Sequence, residues 1–126
     1  MEKSFDERVA EARAEVTAIS PKAAKERKDR EPETLFIDPR NEADIRSSTG
    51  IIPGALSIPL GELSSRSDAD LPRELQSRSR PIITACKGGP MGALAAHALK
   101  KRGFSNVAFI EGGTQGWLDA GYPTDK

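Results

Sequence analysis

One cysteine and one histidine are all that 126 residues offer for soft-metal or imidazole chemistry. A single cysteine excludes an internal disulfide, so any redox or transfer chemistry must involve a small molecule or a second protein. Cys86 and His97 form no CxxC or HExxH spacing, which argues against a protein-built zinc site. No apolar run is long enough for a membrane span, and Met1-Glu2-Lys3 leads into an amphipathic segment rather than an apolar signal core. Formal net charge is zero, from 19 basic and 19 acidic residues, and no basic block stands alone, which argues against a nucleic-acid partner. There is no internal repeat, no low-complexity tract, no GxxxxGK[ST] and no GxGxxG. What remains is about one domain with one modest core, expected to be cytoplasmic with its thiol reduced.

Phe5, Val9, Ala12 and Val16 recur at i, i+4, i+7 and i+11, predicting an amphipathic helix within residues 1–18 that packs on a domain formed by 19–126. Ser20-Pro21 reads as the cap and first residue of a second helix, through about Lys28. Leu35-Phe36-Ile37-Asp38 reads as a short strand, and residues 42–47 can make one or two helical turns. Ile51-Ile52-Pro53-Gly54-Ala55 bends into a second strand at Leu56-Ser57-Ile58. Residues 59–79 are polar and turn-rich, with a short helix suggested near Leu71 and Leu75. A strand through Ile82-Ile83-Thr84-Ala85-Cys86, a helix from 91 to 102, a strand from 107 to 110 and a last helix around Trp117 complete the chain. Short strands alternating with helices predict an α/β domain, with a parallel sheet of about five strands covered by helices on both faces.

Ligands of open parallel sheets bind beyond the carboxyl ends of the strands. Asp38 with Arg40, Cys86 with Lys87-Gly88-Gly89-Pro90-Met91-Gly92, and Glu111 with Gly112-Gly113 all follow strands directly. Cys86 is the natural nucleophile among them. Glycines at 88, 89 and 92 let the backbone turn N–H groups inward, which suits an anion or the charge on a terminal sulfur. The plainer alternatives are a buried structural thiol and an ordinary strand-to-helix turn. Phosphate, thiosulfate and a cysteine persulfide are all chemically compatible with such a loop.

The chain resembles the single-domain rhodanese family, the thiosulfate sulfurtransferases, over about residues 19–123. Asp38-Pro39-Arg40 resembles that family's Asp-Val-Arg element, and Gly50-Ile51-Ile52-Pro53-Gly54-Ala55 is similar to its Gly-His-Ile-Pro-Gly-Ala signature. Cys86 falls on the active cysteine, and Lys87 and Gly89 match basic and glycine positions of the loop. Glu111-Gly112-Gly113 with Trp117 and Gly121-Tyr122-Pro123 resembles the closing signature. The resemblance implies a rhodanese-like fold and a sulfurtransferase. Its Cys86 would take sulfur from thiosulfate or a related donor as a persulfide and yield it to cyanide or a thiol, or to a sulfur-carrier protein. No metal or organic cofactor is implied.

Lys87, Gly88, Gly89, Pro90, Met91, Gly92 and Arg40 are then the candidate substrate-binding residues, with Asp38 orienting the loop. Arg40 either faces the anion or pairs with Asp38 or Glu42 to organise the loop, the pairing being preferred. Two departures bear on the substrate. Met91 stands where many rhodaneses carry arginine, and Ile51 where the usual residue is histidine. Cysteine phosphatases look like Cys, five residues, then Arg; here that sixth residue is Gly92. An arsenate reductase would need reducing thiols from a partner. The principal rival is a non-catalytic binding or regulatory module on the same fold. His97 is expected on the solvent side of its helix with Lys100 and Lys101, and Trp117 in the core.

Overall fold

Ser4, Ser20 and Asn41 each mark a helix start by satisfying an otherwise unpaired amide with a short polar side chain. The computed structural model describes residues 3–88 and 90–125. Ser4 and Glu7 form a reciprocal capping box at the head of α1 (Phe5–Glu15), with both bonds at 3.1 Å. After β1 (Thr17–Ile19), Ser20 caps α2 (Pro21–Arg30) by accepting from the Ala23 amide at 3.0 Å. Next come β2 (Leu35–Asp38), α3 (Glu42–Arg46), β3 (Leu56–Ser57) and α4 (Leu60–Ser65). Two 3₁₀ turns, Asp68–Asp70 and Arg73–Leu75, lead to β4 (Ile82–Thr84). The chain ends with α5 (Pro90–Lys101), β5 (Val107–Ile110) and α6 (Gly113–Asp119).

The five strands lie in the order β1-β5-β4-β2-β3, and every pairing is parallel. Alternate residues of a strand face opposite ways. Leu35, Ile37 and Ile82 therefore pack with Leu63, Leu71, Leu75, Ala95 and Leu99, under α4, the 3₁₀ segment and α5. Phe36 and Ile83 pack on the other face with Ala24 of α2 and Trp117 of α6. Both faces are covered, as the α/β pattern predicts. No helix among the described residues is long and apolar enough to cross a membrane.

A further layer lies outside α5. Ala12 of α1 packs against Ala93 and Ala96 of α5 and Phe109 of β5. This contact corrects the expected orientation of His97, which is 9% exposed rather than solvent-facing. The helix has helices or sheet on more sides than its own periodicity suggested: Ala93 and Ala96 are fully buried, whereas Met91, Leu94 and Ala98 are only half-buried. Burial holds the His97 imidazole below its ordinary titration range. Lys101, Lys100 and Lys3 act in the same direction and Glu15 in the opposite one.

Other boundaries moved too. Thr17–Ile19 forms an edge strand paired with β5, so the division expected between 18 and 19 falls inside a strand. The short helix expected near Leu71 and Leu75 is a pair of 3₁₀ turns, and a regular helix lies earlier, at Leu60–Ser65. The Cys86 strand ends at Thr84, although the Ala85 amide still donates to Ile37 at 3.0 Å.

Candidate functional site

β4 is the central strand, flanked by β2 and β5. Register pairs Ile37 with Thr84 and Thr84 with Phe109, so the chain leaves all three strands at nearly one level. Cys86 leaves from the middle position and is buried, at 3% exposed. Lys87, Gly88 and Pro90 are exposed beside it, and Met91 is half-buried. The Lys87 ammonium makes no ion pair among the described residues. Gly89 lies outside the described residues. Gly92 lies flat on the end of β4: its Cα hydrogen faces backbone, an added Cβ meeting Ala85 Cα and Cys86 N at 3.5 Å. Its carbonyl accepts from the buried Thr84 hydroxyl at 2.6 Å, tying the start of α5 back to the strand.

The β5 exit touches the cysteine loop directly. Gly113, with φ 62°, opens α6, and the next two amides turn toward Cys86 and Lys87. Thr114 N donates to Cys86 O at 2.7 Å, and Gln115 N donates to Lys87 O at 3.0 Å. Glu111 does not join this contact through its side chain. Its carboxylate is turned to Arg13 of α1, which donates to both oxygens at 2.8 and 2.9 Å.

The β2 exit has a different use. Arg40 is 6% exposed and Asp38 2%, and the guanidinium meets the carboxylate with two bonds, Nε to Oδ1 at 3.0 Å and Nη2 to Oδ2 at 2.7 Å. Nη1 donates to Ser48 Oγ at 3.0 Å, and Nη2 also reaches Thr49 Oγ1 at 2.9 Å and Gly50 O at 3.2 Å. Asp38 also accepts from the Arg40 amide at 3.1 Å. This buried, forked pairing organises the segment between β2 and β3. Of the two readings of Arg40, the structure shows the preferred pairing, and the partner is Asp38 and not Glu42.

The sequence pattern brought Cys86, its loop and the two neighbouring strand exits to one edge, and the structure places them there. It missed Thr114 and Gln115 as supports of the cysteine loop. The adjacent Gly112-Gly113 was the available signal, since both have positive φ, 81° and 62°. Ser48 and Thr49, which complete the Arg40 network, carried no signal of their own. His97 faces the α1 packing layer rather than the loop. Trp117 donates from Nε1 to Pro123 O at 2.9 Å and stacks edge-on to Phe36 in the core. No group of three or more His, Cys, Asp or Glu side chains suited to a metal ion occurs among the described residues.

A buried cysteine at the end of a central parallel strand, opening a glycine loop into a helix, is the arrangement on which the family resemblance turned. The model for the rhodanese-like domain matches residues 20–120. The chain belongs to the rhodanese-like domain family. A rhodanese domain-containing protein of Drosophila melanogaster is 30% identical over 93 residues, which cover 68% of this chain and 83% of that relative. Among solved structures, the polysulfide-sulfur transferase homodimer of Wolinella succinogenes aligns with a TM-score of 0.71 at 26% identity, covering 94% of this chain and 85% of that one. A Rhodopseudomonas palustris protein of unknown function, described as a possible tyrosine phosphatase, aligns at 0.86 and 26% identity over 99% of this chain and 96% of its own. The matched segment thus runs from α2 to α6, and α1 and β1 lie before it.

Proposed function

We propose that this rhodanese-like domain is a sulfurtransferase with Cys86 as its sulfur carrier. The observation that carries this reading is the position of Cys86 at the exit of the central strand, beside an exposed loop whose backbone is held from behind by α6. The polysulfide-sulfur transferase neighbour supports sulfur transfer as the class of reaction.

In the first half-reaction, the Cys86 thiolate attacks the outer sulfur of thiosulfate. The bond from that sulfur to the sulfonate sulfur breaks, and sulfite leaves with the electron pair. Cys86 is left as a persulfide anion. In the second half, cyanide or a thiolate attacks the terminal sulfur. The persulfide bond breaks, the Cys86 thiolate is restored, and thiocyanate or a new persulfide departs. Loop amides stabilise the anionic sulfur in both halves, a preorganised electrostatic role. An organic persulfide or a sulfur-carrier protein serves as donor or acceptor by the same chemistry. Neither half-reaction transfers a proton at the sulfur, which fits an edge where the carboxylates following β2 and β5, Asp38 and Glu111, are paired with Arg40 and Arg13.

A phosphatase reading of the same loop lacks its guanidinium. The residue in that position is Gly92, which is buried against the end of β4. Without a bidentate cation the dianionic phosphoryl group has no clamp.

Intact mass decides the matter. The reduced protein, exposed to thiosulfate, 3-mercaptopyruvate or a low-molecular-weight persulfide, is expected to gain about 32 Da, one sulfur, and to lose it to cyanide. Cys86→Ala gains nothing. A folded protein with a free thiol that takes up sulfur from none of these donors would favour the non-catalytic binding module. Release of phosphate from an aryl phosphate would instead favour the phosphatase.

A further inference from the structure

The first amides of a helix usually point into solvent or at a capping side chain, because no carbonyl precedes them in the helix. In α6 they do neither. Gly112 caps the helix without a side chain, and the Thr114 and Gln115 amides are spent on the carbonyls of Cys86 and Lys87. A helix start has been docked onto the backbone of the cysteine loop.

Peptide planarity gives this docking a consequence on the far side of the loop. In a trans peptide the C=O and the following N–H point in opposite directions. Drawing the Cys86 carbonyl toward Thr114 turns the Lys87 N–H away from α6. Drawing the Lys87 carbonyl toward Gln115 turns the Gly88 N–H the same way. Two consecutive peptide dipoles are fixed in parallel, their positive ends on the face opposite α6. Their positive field adds to that of any other loop amide, and it is set before sulfur arrives.

The contact leaves no room for a side chain. A Cβ on Gly113 would lie 2.8 Å from both the Cys86 and Lys87 carbonyl oxygens and 2.9 Å from the Lys87 carbonyl carbon. Each of those atoms is backbone, so relief requires the cysteine loop and the start of α6 to move apart. Gly112 supplies a built-in control. It has the same left-handed backbone, φ 81°, but an added Cβ would meet only Gly116 Cα and N, at 3.5 and 3.9 Å.

We propose that the first turn of α6 is the positioning device of the cysteine loop: Gly113 permits the approach, and the Thr114 and Gln115 amides orient the Lys87 and Gly88 N–H groups toward the reacting sulfur. This deepens the sulfur-transfer reading and rests on it for the identity of the nucleophile. Gly113, Thr114 and Gln115 are positioning residues, and none of them touches substrate.

Two pairs of variants test it. Gly113→Ala is compared with Gly112→Ala, since both impose left-handed strain and only the first collides with the loop. Gln115→Pro is compared with Gln115→Ala. Proline in the first helical turn removes the amide that holds Lys87, and alanine removes only the exposed side chain and its 2.9 Å bond to Asp119. Each protein is first shown to be folded at the assay temperature. The readouts are the rate of Cys86 alkylation by iodoacetamide at fixed pH and the ¹H–¹⁵N resonances of Lys87 and Gly88.

Alkylation is expected to slow on the order of tenfold in Gln115→Pro and Gly113→Ala, a fraction of the loss seen when a direct donor is removed. The Lys87 and Gly88 resonances shift in these two variants and stay in place in the controls. A general loss of stability would not single out those amides in a folded protein. Equal alkylation rates across each pair, or unmoved Lys87 and Gly88 resonances, would overturn the proposal. If Gly113→Ala does not fold, Gln115→Pro decides alone. Alkylation needs no sulfur donor, so slowed alkylation in a protein that never gains sulfur would uphold the positioning role while rejecting the transferase.

Discussion

Thr114 has two polar groups with opposite fates. Its amide is spent on Cys86 O at 2.7 Å, while its hydroxyl is fully buried and has no hydrogen-bond partner among the described residues. A buried hydroxyl without a partner forfeits its hydration and gets nothing back. If the positioning role resides in the backbone, the side chain is dispensable. Thr114→Val should raise stability by about 1 kcal/mol, the lower end of the cost of an unsatisfied buried group. Cys86 alkylation should stay within about twofold of the parent, because the amide dipoles are untouched. Urea unfolding with the alkylation rate measures both. A destabilised variant would mean that the hydroxyl is in use. The same residue marks a limit of sequence reading. Nothing in Gly113-Thr114-Gln115 announces a contact with residues 86 and 87, because it depends on how β4 and β5 are paired. Arg40 was more legible, since a carboxylate two residues away is a partner the chain carries with it.

α5 packs against the sheet on one side and α1 on another, and its buried histidine makes that packing sensitive to acid. His97 lies between α5 and the layer formed with α1, where burial first, then Lys101, Lys100 and Lys3, disfavour the imidazolium, and Glu15 alone favours it. The folded state thus titrates below the unfolded chain, whose histidine protonates near 6.5. On acidification the unfolded state takes up the proton first, so stability is complete above about pH 7.5 and declines as pH falls through about 6.5. His97→Gln should lose less of its thermal midpoint between pH 7.5 and 5.5 than the parent does. Identical losses would remove His97 as the cause. The orientation of this side chain was illegible because the helix's own periodicity shows one apolar face, and α1 covers a second. β1 escaped for a related reason: Thr17 and Ala18 are exposed and only its pairing with β5 makes residues 17–19 a strand. α2, by contrast, was legible to within two residues, because Ser20 and Pro21 define its start by local chemistry.

At the scale of the molecule, zero net charge supplies no net attraction for an anion, so on the sulfur-transfer reading a dianionic donor would be held by groups at the loop itself. Arg40 is paired with Asp38, and Arg13 with Glu111 at the β5 exit. Lys87 is left as the exposed cation of the loop, and an ammonium grips an oxyanion at a single point. Met91, half-buried in the first turn of α5, occupies the place where a guanidinium could be added without entering the core, its stem lying where the thioether now does. Met91→Arg should raise kcat/KM for thiosulfate about tenfold, the scale of one charge-assisted hydrogen bond. The gain should shrink as salt is raised toward about 0.5 M, since the new charge sits at the surface. An uncharged organic trisulfide, which offers the same sulfane sulfur without an anion to clamp, should react within about twofold of the parent rate. The ratio of the two donors is the decisive quantity. A gain shared by both would mean that the substitution had altered Cys86 itself, and no gain with either would mean that the α5 N-terminus does not face the donor.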